Sequence, residues 1–209
     1  MTRPAQSYDR MTPSAVNEFA TADDFQHLFA TDMPDLFRLA YLLTGDAEEA
    51  EHCLILTMHE CMASGSVYKW WLPVWTRNVL IRNGIRIVTG SPAYPLRKIP
   101  HDRMLTAIRR SQQSAIDASG VPAGVFQLSD FDRLVYVIRV IEKYPIRDCV
   151  RLLGRSRQEV RDALTRALAY VDAFEQEWRR APGQLSEDIC LPPYNPGAGV
   201  DDSRGSLSA

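Results

Sequence analysis

Arg157, Gln158, Arg161 and Thr165 follow one another at intervals of one, three and four residues, so on a helix they crowd toward one side. Guanidinium, amide and hydroxyl groups in that arrangement can donate to phosphate oxygens and to base edges in a DNA major groove. A second stretch points the same way through charge. Residues 69–110 hold nine basic side chains (Lys69, Arg77, Arg82, Arg86, Arg97, Lys98, Arg103, Arg109 and Arg110) against Asp102 alone, eight more positive than negative. Residues 1–60 are the reverse, with three basic side chains against eleven acidic ones. The net charge of −2 conceals this asymmetry, and a local positive excess is an electrostatic footprint for nucleic acid, although a solvated linker rich in arginine has the same composition.

Other chemistry finds little support. His52, Cys53, His59 and Cys61 lie close together, but on a helix the two histidines share a side while the cysteines fall about a quarter turn away at 3.6 residues per turn. That spacing matches no usual zinc ligand set, so neither a metal nor a cofactor is expected. There is no glycine-rich phosphate loop, no G-x-S-x-G and no H-E-x-x-H, and no enzymatic activity is expected. Cys53, Cys61, Cys149 and Cys190 form no C-x-x-C pair and read as reduced core residues.

The polar side chains at 157–165 need a helix, and the sequence supplies one. Pro145 suits a first helical position, and Ile146, Cys149, Val150 and Leu153 continue at helical spacing. Gly154 fits the left-handed residue that ends a helix, and Ser156 with Glu159 matches a reciprocal capping box that starts the next. A buried stripe of Val160, Leu164, Ala167, Leu168 and Val171 is expected, and the pair reads as a helix-turn-helix. A plain helical hairpin with solvated arginines has the same spacing.

The remaining elements are also helical. Residues 1–21 are polar and expected to be flexible, followed by a short helix over Asp23–Ala30. Leu36, Leu39, Ala40 and Leu43 predict a helix ending at Thr44-Gly45. Asp46 caps the next, whose inner face is Ala50, Cys53, Leu54, Thr57, Met58 and Cys61. A helix from Trp70 to Val88 follows, with Trp71, Val74, Trp75, Asn78, Ile81 and Ile85 along its packed side. Residues 90–127 read as a linker holding a possible helix at His101–Asp117, and Ser129–Glu142 as a supporting helix with Leu134, Val135, Ile138 and Ile141 inward. From 181 to 209 the Pro-, Gly- and Ser-rich tail is expected to be disordered. The expected fold is all-α, with two small helical domains at 22–89 and 128–180. The absence of long apolar runs suggests a cytoplasmic protein.

Three blocks carry a family resemblance. Leu36 to Glu51, LFRLAYLLTGDAEEAE, resembles the opening of region two of a bacterial extracytoplasmic-function sigma factor, where one helix ends in T-G-D and the next begins D/E-A-E. Trp71 to Asn83, WLPVWTRNVLIRN, is similar to the W-L-x-x-I-A-R-N-x-x-I-D-R signature that closes that region. Leu128 to Val171 resembles region four, including the L-L-G turn and the E-V-R-x-x-L-x-R-A run. The resemblance implies a transcription initiation factor that binds core RNA polymerase, with region two at the −10 promoter element and region four at the −35 element. By matching positions, it makes Arg77, Asn78 and Arg82, with the neighbouring Arg86, DNA contacts of region two, Asn78 also supporting the fold. Arg157, Gln158, Arg161, Thr165 and Arg166 become the contacts of the recognition helix. Glu51, His52, Ile55 and Leu56 stand where the family docks on polymerase, and an anti-sigma factor is a further implied partner. The chain departs from the family there: His52-Cys53-Leu54-Ile55-Leu56 replaces the usual D-L-V-Q-E. An interaction module that keeps the fold without its own promoter recognition is therefore the alternative.

Overall fold

The computed structural model describes residues 18–64, 67–90 and 122–180, which are helical apart from one isolated antiparallel bridge between Phe19 and Tyr68. The expectations for residues 1–17, for a helix at His101–Asp117, for the tail from 181 onward and for Cys190 lie outside the described residues. Among those described, no helix is long and apolar enough to cross a membrane.

The first helix, α1 (Ala22–Thr44), starts at a capping box in which Thr21 and Asp24 bond reciprocally. The short helix over Asp23–Ala30 and the one carrying Leu36–Leu43 are a single helix that runs through Pro34. An interior proline costs about 3 kcal/mol. Yet Phe25, Leu28, Phe29, Met33, Leu36, Phe37, Ala40 and Leu43 form one buried stripe across it. A buried side chain of Leu, Phe or Met type contributes about 1.5–3 kcal/mol, so continuity of the stripe wins. Gly45 stops the helix at φ 77°, its N–H donating to the Tyr41 carbonyl at 2.7 Å. Asp46 then caps α2 (Ala47–Ala63), accepting from the N–H groups of Glu48 and Glu49. The buried face of α2 is the expected one, Ala50, Cys53, Leu54, Thr57, Met58 and Cys61.

A 3₁₀ turn at Lys69–Trp71 leads into α3 (Leu72–Val88), and here the packed side is only partly the one periodicity suggests: Ile81 and Ile85 are buried and Trp75 packs against the core as expected. Leu72, Thr76, Val79, Leu80, Asn83 and Gly84 face inward with Ile81 and Ile85, while Trp71 and Val74 are exposed. Small and polar residues win because α1 comes close: a Cβ on Gly84 would lie 3.0 Å from Leu43 Cδ1. Thr57 and Asn83 also bond across the α2–α3 seam, the Asn83 amide donating to the Thr57 hydroxyl at 3.3 Å.

The second group of helices packs on the first. Residues 122–127, the end of the expected linker, form a 3₁₀ turn at Ala123–Gln127 with Val125 buried and Phe126 against Tyr41. Helix α4 (Asp130–Tyr136) widens into a π turn over Val137–Ile141. Then come α5 (Ile146–Leu153) and α6 (Arg157–Arg180). Arg133 of α4 is buried and joins the two groups: its Nη2 donates to the Thr44 carbonyl at 2.8 Å and its Nε to the Leu43 carbonyl at 3.4 Å. It thereby satisfies carbonyls that the end of α1 leaves without helical partners.

Burial pushes the thiols of Cys53 and Cys61 up to about 12, so neither forms thiolate at neutral pH. Iodoacetamide at pH 8 should leave both unmodified in the folded chain and label both in denaturant, as read by peptide mass. Rapid labelling without denaturant would contradict this packing.

Candidate nucleic-acid interface

Helices α5 and α6 meet around Gly154, which takes the expected left-handed conformation at φ 62°. The Ser156 N–H donates to the Glu159 carboxylate at 2.8 Å, and the Glu159 N–H donates to the Ser156 hydroxyl at 3.2 Å, the reciprocal cap the sequence proposes. The backbone bond from Ser156, with its side-chain bond second, holds the Glu159 carboxyl below its ordinary range. Behind this turn, α6 buries Val160, Ala163, Ala167 and Val171, with Leu164 half-buried. Leu168, expected in the stripe, is 38% exposed, and Ala163 takes the inward place. The small residues let α6 lie close on its neighbours, and Leu168, one position past Ala167, is turned about 100° away by the helical period.

The opposite side of α6 is open. Arg157 and Arg161 are both exposed, and among the described residues neither holds an ion pair. Gln158 and Thr165 are exposed with them; the Gln158 amide donates to the Asp162 carboxylate at 2.8 Å and the Thr165 hydroxyl to the Arg161 carbonyl at 3.0 Å. These four side chains share one solvent-facing surface beside the turn, with exposed Arg147, Arg151 and Arg155 nearby in sequence.

Arg166 does not belong to that surface. Its Nε and Nη2 donate to the Asp132 carboxylate at 3.1 and 2.8 Å, and the Asp132 side chain is only 1% exposed. Desolvation raises the Asp132 carboxyl above its ordinary value although Arg166 pulls the other way. Arg166 is thus a strut between α4 and α6, a role set by a contact that sequence position alone does not reveal.

On α3 and the turn before it the basic side chains are engaged. Lys69 pairs with Asp24 at 3.1 Å, Arg82 with Glu60 at 3.0 Å, and Arg86 with the same carboxylate at 3.7 Å and with the Asn83 side-chain Oδ1 at 3.1 Å. Arg77 gives both Nε and Nη2 to Glu142, which holds its guanidinium charged more firmly than usual. Asn78 donates to the Val74 carbonyl at 2.9 Å and accepts from the Tyr144 hydroxyl. Each described cation of the expected positive surface is therefore ion-paired, four cations sharing three carboxylates; Arg97, Lys98, Arg103, Arg109 and Arg110 lie outside the described residues.

An aromatic surface at the start of α3 escaped the sequence reading. Phe19 stacks on Tyr68 with centroids 4.8 Å apart, Tyr68 on Trp70 at 6.0 Å, and Trp71 leans on Trp75 at 5.7 Å. Trp70 is 78% exposed. The bridge at Phe19 and the rotation of α3 create this platform, and the run Tyr68-Lys69-Trp70-Trp71 beside Ser64-Gly65-Ser66 was the signal available for it.

Glu51, His52, Ile55 and Leu56 fall on one side of α2, as spacing of one and four residues requires, and all are half-buried. Leu54 and Met58 are buried in the core, and Ile55 packs against it, so this apolar stretch of α2 leaves no large exposed patch. Among the described residues no group of three His, Cys, Asp or Glu side chains could hold a metal ion. The sequence matches no protein-family model and no curated protein.

Proposed function

We propose that the chain is a transcription initiation factor of the extracytoplasmic-function sigma type, binding promoter DNA and core RNA polymerase in the bacterial cytoplasm, without enzymatic activity. The observation that carries this reading is the pair Arg157 and Arg161, exposed and without ion pairs among the described residues, on a helix that begins at a capped tight turn. Two free guanidinium groups near the N-terminal end of such a helix suit a phosphate or a guanine edge. The aromatic platform adds a surface on which unpaired bases can stack, at about 1–3 kcal/mol per base. The half-buried side of α2 is the candidate polymerase contact.

The second reading, a regulator that uses the same fold for protein contacts alone, is favoured by the ion-paired arginines of α3 and by the exposed aromatics, which a protein partner could also cover. Retention of core polymerase on the immobilised full chain tests the first reading, which requires it. The wild type should retain polymerase, and Ile55→Asn with Leu56→Gln should reduce retention at least about tenfold, the factor that 1.4 kcal/mol of lost contact produces. A folded wild-type chain that retains no polymerase would leave the interaction-module reading in its place.

A further inference from the structure

We propose that the segment joining α4 to α5 is an intramolecular latch, which occupies the α3 side chains Arg77 and Asn78 and withholds them from nucleic acid until it opens. This rests on the DNA-binding reading above and adds its regulation. Three features coincide at the segment. The helix widens into the π turn at Val137–Ile141, Lys143 sits at φ 59° although it is not glycine, and the residues flanking it, Glu142 and Tyr144, both reach α3. The Glu142 N–H donates to the Val137 carbonyl at 2.9 Å and the Tyr144 N–H to the Ile138 carbonyl at 3.0 Å, so the left-handed residue is held from both sides. A π turn and a left-handed lysine each carry a local backbone cost, and such geometry persists where surrounding contacts over-determine it.

Those contacts are the ones that compete with DNA. Glu142, its side chain only 9% exposed, takes two donors of Arg77, and Tyr144 takes the acceptor of Asn78. A phosphate approaching Arg77 must displace a carboxylate that already holds the guanidinium in bidentate geometry. Arg133 ties α4 to the end of α1 separately, so the latch can release while the two helical groups stay joined. A binding-competent form populated one-tenth of the time weakens apparent affinity about tenfold, and releasing the latch restores it.

The test uses the full chain and a fluorescein-labelled duplex, read by anisotropy over a salt series, with amide hydrogen exchange across residues 137–145 as the measure of opening. Glu142→Gln should exchange faster there and bind about tenfold more tightly at each salt concentration, since both proteins bind in the open form. Tyr144→Phe, which changes no charge and removes one oxygen, should shift both readouts in the same direction by less, and it keeps the test alive if Glu142→Gln does not fold. Glu142→Asp should stay nearer the wild type. Glu48→Gln, at an exposed carboxylate on α2, controls for added positive charge. Faster exchange without tighter binding, while the wild type binds DNA, overturns the latch alone, as does an equal gain in Glu48→Gln. Absence of binding by every folded variant overturns the DNA-binding reading and the latch with it.

Discussion

Arg166→Ala should lower the unfolding free energy by about 3–5 kcal/mol, because it strands the Asp132 carboxylate inside the fold. Asp132 is buried to 1% and takes two of its hydrogen bonds from Arg166. A partner-less charge there can be relieved only by protonation or by disrupting the α4–α6 contact. Desolvation already raises the Asp132 carboxyl in the wild type, and removing Arg166 takes away the first opposing influence. A group whose folded pKa lies above its unfolded value favours the folded state at low pH and loses that contribution as pH rises through the folded pKa. The deficit in Arg166→Ala should therefore be largest near neutral pH and shrink in acid, where a neutral Asp132 needs no cation. Urea unfolding at several pH values measures this. A stability equal to wild type at neutral pH, combined with weakened DNA binding, would return Arg166 to the DNA surface.

The largest functional effect is expected from Arg157→Ala with Arg161→Ala. Both side chains are exposed and neither is held by an ion pair among the described residues, so their removal should leave stability almost unchanged. A side chain that meets a base edge contributes about 1–3 kcal/mol of discrimination, and one that meets phosphate contributes about 0.9 to the salt slope. The double variant should thus bind duplex DNA about tens to tens of thousands of times more weakly if both arginines read bases, an estimate of about 2–6 kcal/mol. If both meet phosphate, the slope should flatten by about 1.8. Anisotropy titrations from low to moderate salt distinguish these outcomes. Unchanged affinity and slope would mean that the open face of α6 does not touch DNA.

What could be read from the sequence was local. The Ser156–Glu159 box, the left-handed Gly154, the Asp46 cap and the buried face of α2 depend on residues within a turn of one another, and each stands as the spacing indicates. What depends on distant partners was not legible. On α3 two stripes overlap, one aromatic and one of small and polar residues, and only the approach of Leu43 to Gly84 decides which is buried. Periodicity weighs Trp71, Val74 and Trp75 as core; Trp75 packs there, whereas Trp71 and Val74 are exposed. The candidate site divided along the same line. Arg157 and Arg161 are exposed and hold no ion pair among the described residues, whereas Arg77, Asn78 and Arg166 are claimed by Glu142, Tyr144 and Asp132, between 34 and 66 residues away. The helices expected at Asp23–Ala30 and over Leu36–Leu43 are one for a related reason: the apolar stripe on both sides of Pro34 is buried against other helices, and that burial exceeds the local cost.

Run-off transcription with purified core polymerase on a library of bacterial promoter fragments tests the initiation reading most directly. Added wild-type chain should start transcripts from a defined subset of fragments, and Arg161→Ala should reduce those transcripts without unfolding the protein. Transcription no greater than with core polymerase alone, or full initiation by Arg161→Ala, would contradict the role given to this chain and to the open face of α6.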